Sequence, residues 1–455
     1  MKLRVFACLS CLVWVAACSS HPSGGQNTGQ NGLGAAGSTN AGSFAGTFVP
    51  SAGSGAGAGN GAGGSSSFPG LDAAVFGDAG TLGDAASSAA DGGGSGGNDD
   101  AGRIVPSSPG YLHTHGRQLL DHDGNPVQLT GINWFGMETS NYAPHGLWTR
   151  SLDSMLDQIV SLGYNMLRLP YCSQFFDSGS TPNGIDMAKN PGLQGKSGLA
   201  LLDAIVDAAG KRGLRVVLDR HRPDSNAQSE LWYTGSYSEQ RWIDDWKMLA
   251  THYKGNSTVI GFDLHNEPHG MATWGDGSMQ TDWRAAAERA GNAILAINSD
   301  VLIIVEGIEK HGGQSNWWGG NLRGAKASPV RLDVKERLVY SAHEYPPSVY
   351  MQPWFSASDY PNNLPSVWHD NWGYLIDEDI APVWLGEFGT KYETDADKKW
   401  LGKLASYIDE KSLDFAYWCI NPNSGDTGGI LKDDWMTVQT EKQAVLMPLL
   451  APLIP

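Results

Sequence analysis

The chain has 455 residues, 41% of them hydrophobic, enough for one large core or two ordinary ones. Its formal charge of −17 excludes a nucleic-acid or anionic-membrane surface, since both require clustered Lys and Arg, and suits a neutral partner. Most of the excess among its 59 glycines lies before residue 105, so the globular part is smaller than the whole.

In chain order, Lys2 and Arg4 precede an apolar run from Val5 to Val15. The run is too short and wrongly flanked for a transmembrane helix, and residues 1–17 read as an export signal. Val15-Ala16-Ala17-Cys18 resembles the lipobox of bacterial lipoproteins, in which the cysteine becomes the acylated N-terminus. Lipidation of Cys18 would tie the protein to a cell-surface or outer membrane with no spanning helix. Cleavage at a simple small-residue site is the alternative, and would leave an unmodified thiol and a secreted protein. Residues 18–108 are Gly, Ser and Ala with scattered aspartates such as Asp72, Asp84 and Asp99. Such a composition cannot bury enough apolar surface to offset its chain entropy, so a disordered tether is expected. Phe44, Phe48, Phe68 and Phe76 are too isolated to face a small binding module.

Residues 109–455 have the composition of one globular domain. Gln118 to Leu129 reads as a hairpin around Asp123-Gly124-Asn125. Strand-like runs follow at 129–133, 166–169, 215–218, 259–264, 301–305, 338–342, 383–385 and 415–418. Between them, amphipathic stretches at 151–162, 199–211, 240–253, 282–297 and 396–411 carry apolar residues at helical spacing. Eight strands alternating with helices predict the α/β class and a (β/α)8 TIM barrel. An open doubly wound sheet is disfavoured because no Gly-rich phosphate turn follows the first strand.

In such a barrel the reactive groups project from the C-terminal strand ends. There the chain places Arg168, His221, Asn266 with Glu267, His343 with Tyr345, Glu387 and Trp418. Each alone has an ordinary reading: a salt-bridged arginine, a satisfied buried histidine, a capping asparagine. Together they put two carboxylates, fixed donors and a stacking plane on one rim, which is what glycoside hydrolysis needs. One carboxyl protonates the leaving oxygen while the other attacks the anomeric carbon or activates water. A nucleophilic Glu387 would be held ionised by Arg168 and Tyr345. Glu267 would then need burial or a neighbouring negative charge to keep its proton. The 17 tryptophans, most of them expected in the core, include indole faces available for stacking on sugar rings.

His265-Asn266-Glu267-Pro268, Leu385-Gly386-Glu387-Phe388-Gly389 and Asp219-Arg220-His221-Arg222-Pro223 resemble glycoside hydrolase family 5 (cellulase family A), in its bacterial endo-β-1,4-glucanase branch. So do Gly131 to Gly136, Trp317 to Leu322 and Ser424 to Trp435, and the likeness spans residues 109–455. The resemblance implies retention, with Glu267 as acid/base and Glu387 as nucleophile. It implies that Asn266 bonds the sugar 2-hydroxyl and that Arg168 and Tyr345 orient the nucleophile. His221 and His343 would contact substrate or the acid/base, and Trp418 would floor the −1 subsite. Trp148, Trp318 and Tyr350 would be further aromatic contacts along the cleft. Where relatives often have Trp-Ser-Trp-Asn-Pro, this chain has Trp418-Cys419-Ile420-Asn421-Pro422, which loses one aromatic and adds a thiol near the rim.

Cys172 and Cys419 are the cysteines of the folded domain. Export would permit a disulfide, but they lie at the ends of the second and eighth strands, and two free thiols are expected. No metal-ligand spacing is present, and no metal or cofactor is expected. The expected partner is a β-glucan polysaccharide substrate, with no nucleic acid, and the protein is expected to be a monomer. Mannan, xyloglucan or mixed-linkage glucan are alternative substrates, and a non-catalytic glycan-binding barrel is the alternative of a different class.

Overall fold

The computed structural model describes residues 102–454. The expected signal, Cys18 and the tether as far as residue 101 lie outside the described residues. The ordered domain begins before residue 109: Arg103 bridges Val334, and Ser108 donates its N–H to Asp300 Oδ1 at 2.9 Å. Leu112–His115, Gln118–Asp121 and Pro126–Val127 form a small antiparallel sheet. Its turn is built as expected, with Asp121 Oδ1 accepting the N–H groups of Asp123 and Asn125 and Gly124 at φ +83°.

Strands β1 (Thr130–Asn133), β2 (Met166–Cys172), β3 (Arg215–Arg222) and β4 (Val259–Asp263) pair in parallel, and the ladder continues through β5 (Leu302–Glu306), β6 (Leu338–Glu344), β7 (Val383–Phe388) and β8 (Asp414–Tyr417). β8 pairs back onto β1, which closes the barrel. Several strands outrun their apolar cores, because polar residues at their C-terminal ends stay in the ladder. Arg168 is thus not the end of β2 but its third residue, one step down inside the barrel.

The helices are α1 (Leu152–Ser161), α2 (Gly198–Gly210), α3 (Glu239–His252), α4 (Trp283–Leu295), an irregular α5 over residues 364–377, α6 (Asp395–Lys411) and α7 (Thr440–Leu446). Ser151, Ser197, Ser238, Asp282 and Thr394 each accept an N–H of the first turn of the helix they precede. Each such cap contributes about 1 kcal/mol. The connection from β5 to β6 has no helix among the described residues, only the ribbon Lys310–His311 with Gln314–Ser315. That freedom lets residues 316–321 fold back over the barrel mouth, where Gly307 N donates to Gly319 O.

Successive strand residues point to opposite faces. Met166, Val217, Ile260, Ile304, Val339 and Ala416 share one buried cluster with Leu112 and Leu119 of the N-terminal hairpin, which places them inside the barrel above a plugged lower mouth. Their neighbours Leu167, Val216, Ile303 and Tyr340 cluster with Leu156, Ile205 and Ile294 of the helices. Two residues further along the inward face come Arg168, Asp219, Glu306 and Ser341, all fully buried. No helix among the described residues is long and apolar enough to cross a membrane.

Candidate active site

Arg168 is the centre of the ionic layer. Its Nε donates to Asp263 Oδ2 at 2.9 Å, and Nη1 to Asn133 Oδ1 at 3.1 Å and Glu387 Oε1 at 2.5 Å. Nη2 donates to Asn266 Oδ1 at 2.9 Å and Glu306 Oε1 at 3.1 Å, and lies 3.1 Å from Asp219 Oδ2. A guanidinium keeps its charge when buried and offers a rigid fork of donors, so one residue can tie β1, β3, β4, β5 and β7 together. Among the described residues, Asp219, Asp263 and Glu306 form a buried carboxyl cluster, and the cation they face is this guanidinium.

Above this layer stands the carboxyl pair. Glu387, 3% exposed, accepts from Arg168 on one oxygen and from the Tyr345 hydroxyl at 2.6 Å on the other. Burial and the charge of Glu387 push the Tyr345 phenol well above its usual range, so it remains a donor. Glu267 and Glu387 bring carboxylate oxygens within 4.8 Å of each other, with His343 between them. His343 Nδ1 is 2.9 Å from Glu267 Oε1 and 3.7 Å from Glu387 Oε2, and its Nε2 is 3.3 Å from Glu306 Oε1. Burial opposes a charge on this ring, but the Glu306 and Glu387 carboxylates and the bond to Glu267 raise it well above the usual imidazole range.

That cation corrects one expectation. Burial alone would lift Glu267, as anticipated, but the hydrogen bond and charge of His343 outweigh it and hold the carboxyl below its ordinary value. The proton is therefore shared by a His343–Glu267 pair and does not rest on an isolated raised glutamate.

His221 behaves oppositely. Its Nδ1 contacts Asp219 Oδ2 at 2.7 Å, and burial pushes it down to about 3, so it is a neutral ring that donates to Asp219. It stacks on Trp418 at 5.4 Å and 8°, and Trp418 stacks on Phe135 at 5.5 Å and 9°. The Trp418 indole N–H donates to Ser424 Oγ at 3.2 Å, which fixes the rotation of that plane. Asn266 is fully buried, and its Nδ2 has no hydrogen-bond partner among the described residues.

The three aromatics expected farther out do not join this cluster. Trp148, 39% exposed, follows β1 and packs against His145 and the edge of Trp435. Trp318 follows β5, on the opposite side of the barrel, and lies parallel to His269 at 3.6 Å. Tyr350, 41% exposed, follows β6 and meets Trp317 edge-on. The Cys419 thiol is not at the rim: it is buried and points to the carbonyls of Asn421 and Gly428, and like Cys172 it is free. His265, which has no assigned part in the sequence reading, faces outward, accepts from Arg220 Nη1 at 3.0 Å and packs on Trp283.

Sequence reasoning missed Asn133, Asp219, Asp263 and Glu306 as site residues. Glu306 carried a usable signal, because it ends the apolar run Val301 to Val305 just as Glu387 ends its own. Asp219 lies in a quoted motif, but its inward direction follows only from barrel parity, and Asp263 ends β4 outside the quoted motifs.

A closed (β/α)8 barrel whose rim holds two carboxyls this close, one bridged by arginine and tyrosine and the other by histidine, defines a glycoside hydrolase. Comparison with known proteins narrows the class. The cellulase (glycosyl hydrolase family 5) profile matches residues 120–424. An endoglucanase of Paenibacillus polymyxa is 52% identical over 354 residues, covering 76% of this chain and 89% of that protein. The major extracellular endoglucanase of Xanthomonas campestris pv. campestris is 44% identical over 344 residues, 74% of this chain and 71% of that protein. The solved catalytic domain of the major Xanthomonas endoglucanase superposes with a TM-score of 0.71 at 43% identity, covering 74% of this chain and 99% of that one. An endocellulase from Pyrococcus horikoshii, solved with cellotetraose, gives 0.72 at 41% identity, covering 76% and 100%. The chain belongs to glycosyl hydrolase family 5.

Proposed function

We propose that this enzyme is a retaining endo-β-1,4-glucanase that cleaves cellulose or related β-glucans by double displacement. The observation that carries the reading is the approach of Glu267 and Glu387 to within 4.8 Å, oxygen to oxygen. Retaining pairs stand about 5–5.5 Å apart, and inverting pairs need roughly 6.5–9.5 Å to admit a water.

In the first step a Glu387 oxygen attacks the anomeric carbon. The glycosidic bond breaks toward its oxygen, which takes a proton from Glu267. Loss of that proton turns Glu267 into a base, which deprotonates the water that then displaces Glu387 and restores both groups. Arg168 and Tyr345 bond and aim the two oxygens of Glu387, and His343 shares the Glu267 proton. The buried, unpartnered Asn266 Nδ2 supports a bond to the sugar 2-hydroxyl. The neutral His221 would contact the same sugar, and the Trp418 plane would lie beneath it. Trp148 on one side and Trp318 with Tyr350 on the other would extend the cleft along a glucan. The relatives named endoglucanase, and the endocellulase solved in complex with cellotetraose, support this substrate class over mannan, xyloglucan or mixed-linkage glucan.

The domain plan proposed is a signal at 1–17, a tether from 18 that ends before Arg103, where the ordered domain has begun, and the catalytic domain beyond, exported and held by a lipid on Cys18, and active as a monomer. Mass spectrometry of the membrane fraction tests the anchor: an unmodified, soluble mature chain would refute it. Glu387→Gln should lower activity on carboxymethyl-cellulose on the order of 10⁴-fold or more, and Glu267→Gln by roughly 10²–10⁴-fold. Near-wild-type activity in either variant would end the mechanism, and release of reducing ends only from chain termini would end the endo reading.

A further inference from the structure

One fully buried carboxylate joins the two halves of the site and takes no part in the steps above. Glu306 ends β5, and its Oε2 accepts the main-chain N–H of Glu267 at 2.8 Å. Its Oε1 lies 3.1 Å from Nη2 of Arg168, whose Nη1 bonds the nucleophile, and 3.3 Å from His343 Nε2. The Glu267 backbone needs such support, because it sits at φ +53°, a region that non-glycine residues occupy at a cost. Its carbonyl accepts from His269 Nδ1 at 2.7 Å. Gly319, at φ +70°, closes over the same spot, where a Cβ would collide with Glu306 Oε2 and stand 3.4 Å from Glu267 Cα. Main chain and side chain of the acid/base are thus gripped from one carboxylate, directly through the amide and indirectly through His343.

We propose that Glu306 is the positioning residue for the acid step: it holds Glu267 in its left-handed turn and keeps the shared proton on the His343–Glu267 pair. The proposal rests on the glucanase reading above. Glu306 is faced by Arg168 from β2, Asp219 from β3, Asp263 and the end of β4, and His343 from β6; His343 is faced by Glu267, Glu306 and Glu387. Burial lifts the Glu306 carboxyl to about 8 against the pull of His343. Its negative charge therefore appears in the alkaline range, where the pair would otherwise give up its proton.

The test compares kcat/KM for Glu306→Gln on cellotetraose and on 2,4-dinitrophenyl β-cellobioside, whose leaving group departs without a proton. The variant should lose roughly 10²-fold on cellotetraose and less than about tenfold on the dinitrophenyl substrate, because only the first needs the acid. Its alkaline limb on cellotetraose should also move to lower pH. Glu306→Asp, which keeps the charge but withdraws from the Glu267 amide, should show the same substrate contrast with the limb in place, and reads the proposal if Glu306→Gln does not fold. Equal losses on both substrates, or an unmoved limb in Glu306→Gln, would overturn it. A wild-type enzyme inactive on both substrates would overturn the glucanase reading and this proposal with it.

Discussion

One step along the inward face of β5 changes the barrel interior from Ile304 to Glu306, and one step along β2 changes it from Met166 to Arg168. Below the step, apolar side chains pack between the strands and the N-terminal hairpin closes the mouth. Above it, Arg168 and its carboxylates fill the same cross-section. The lower half stabilises by removing apolar area from water, at about 25 cal/mol per Å². The upper half costs desolvation that its Coulomb energy and hydrogen bonds only partly return. The contrast assigns stability to one half and chemistry to the other, with Arg168 as the residue on which the upper half's tolerance depends.

The strongest break is Arg168→Met. Losing the cation that ion-pairs with all four of Asp219, Asp263, Glu306 and Glu387 should abolish activity and lower stability by about 3–5 kcal/mol in denaturant unfolding. Wild-type stability in this variant above about pH 8, where burial no longer keeps these carboxyls protonated, would mean that they do not need the cation. On the apolar side, Ile304→Ala should cost a similar amount, about 2–5 kcal/mol, from lost transfer energy and a residual cavity. Its kcat per folded molecule should stay within a few-fold of wild type, and a large loss of kcat would show that the halves are not separable.

A smaller effect is the pH dependence of stability. Burial raises Asp219 and Asp263 to about 7 and Glu306 to about 8. Between their unfolded values and these, the native state binds more protons than the unfolded chain, so stability from these groups falls as pH rises. Tm should decline from about pH 5 to about pH 8, and Glu306→Gln should flatten that decline. A Tm that climbs across this range, with no change of slope in the variant, would contradict the layer's charge balance. Smallest of all is the thiol chemistry. Burial pushes Cys172 up to about 12, so neither it nor the buried Cys419 should react with a thiol reagent until the domain unfolds. Absence of labelling at both in unreduced, denatured protein would reveal a disulfide.

Much of the site was legible because its signals are local. An apolar run that ends abruptly in a carboxylate marks a strand end whatever surrounds it, and it located Glu267 and Glu387. Glu306 satisfies the same rule but lacks an adjacent motif, and nothing in its neighbourhood says that it faces two other strands. Trp418 was readable as a stacking plane, whereas its parallel contacts with Phe135 and His221 need β8, β1 and β3 side by side. His265 sits beside Asn266 in the most telling motif, yet it points outward to Arg220 and Trp283, because the chain has left the ladder after Asp263 and strand alternation no longer sets its direction.

Local pattern alone thus determined the eight strands, the amphipathic helices, the family likeness and the two glutamates, because periodicity and strand ends are written within a few residues. Tertiary structure decided the charges. His221 is neutral and His343 cationic although both are buried histidines at strand ends: at His221 burial, with Arg168 and Arg222, outweighs the Glu387 and Glu267 carboxylates, whereas at His343 the Glu306 and Glu387 carboxylates and the bond to Glu267 outweigh burial. The same field turns Glu267 from the raised acid expected of a buried carboxyl into half of a proton-sharing pair. Burial and Coulomb fields sum over residues brought together from distant parts of the chain, and that sum exists only once the barrel has closed.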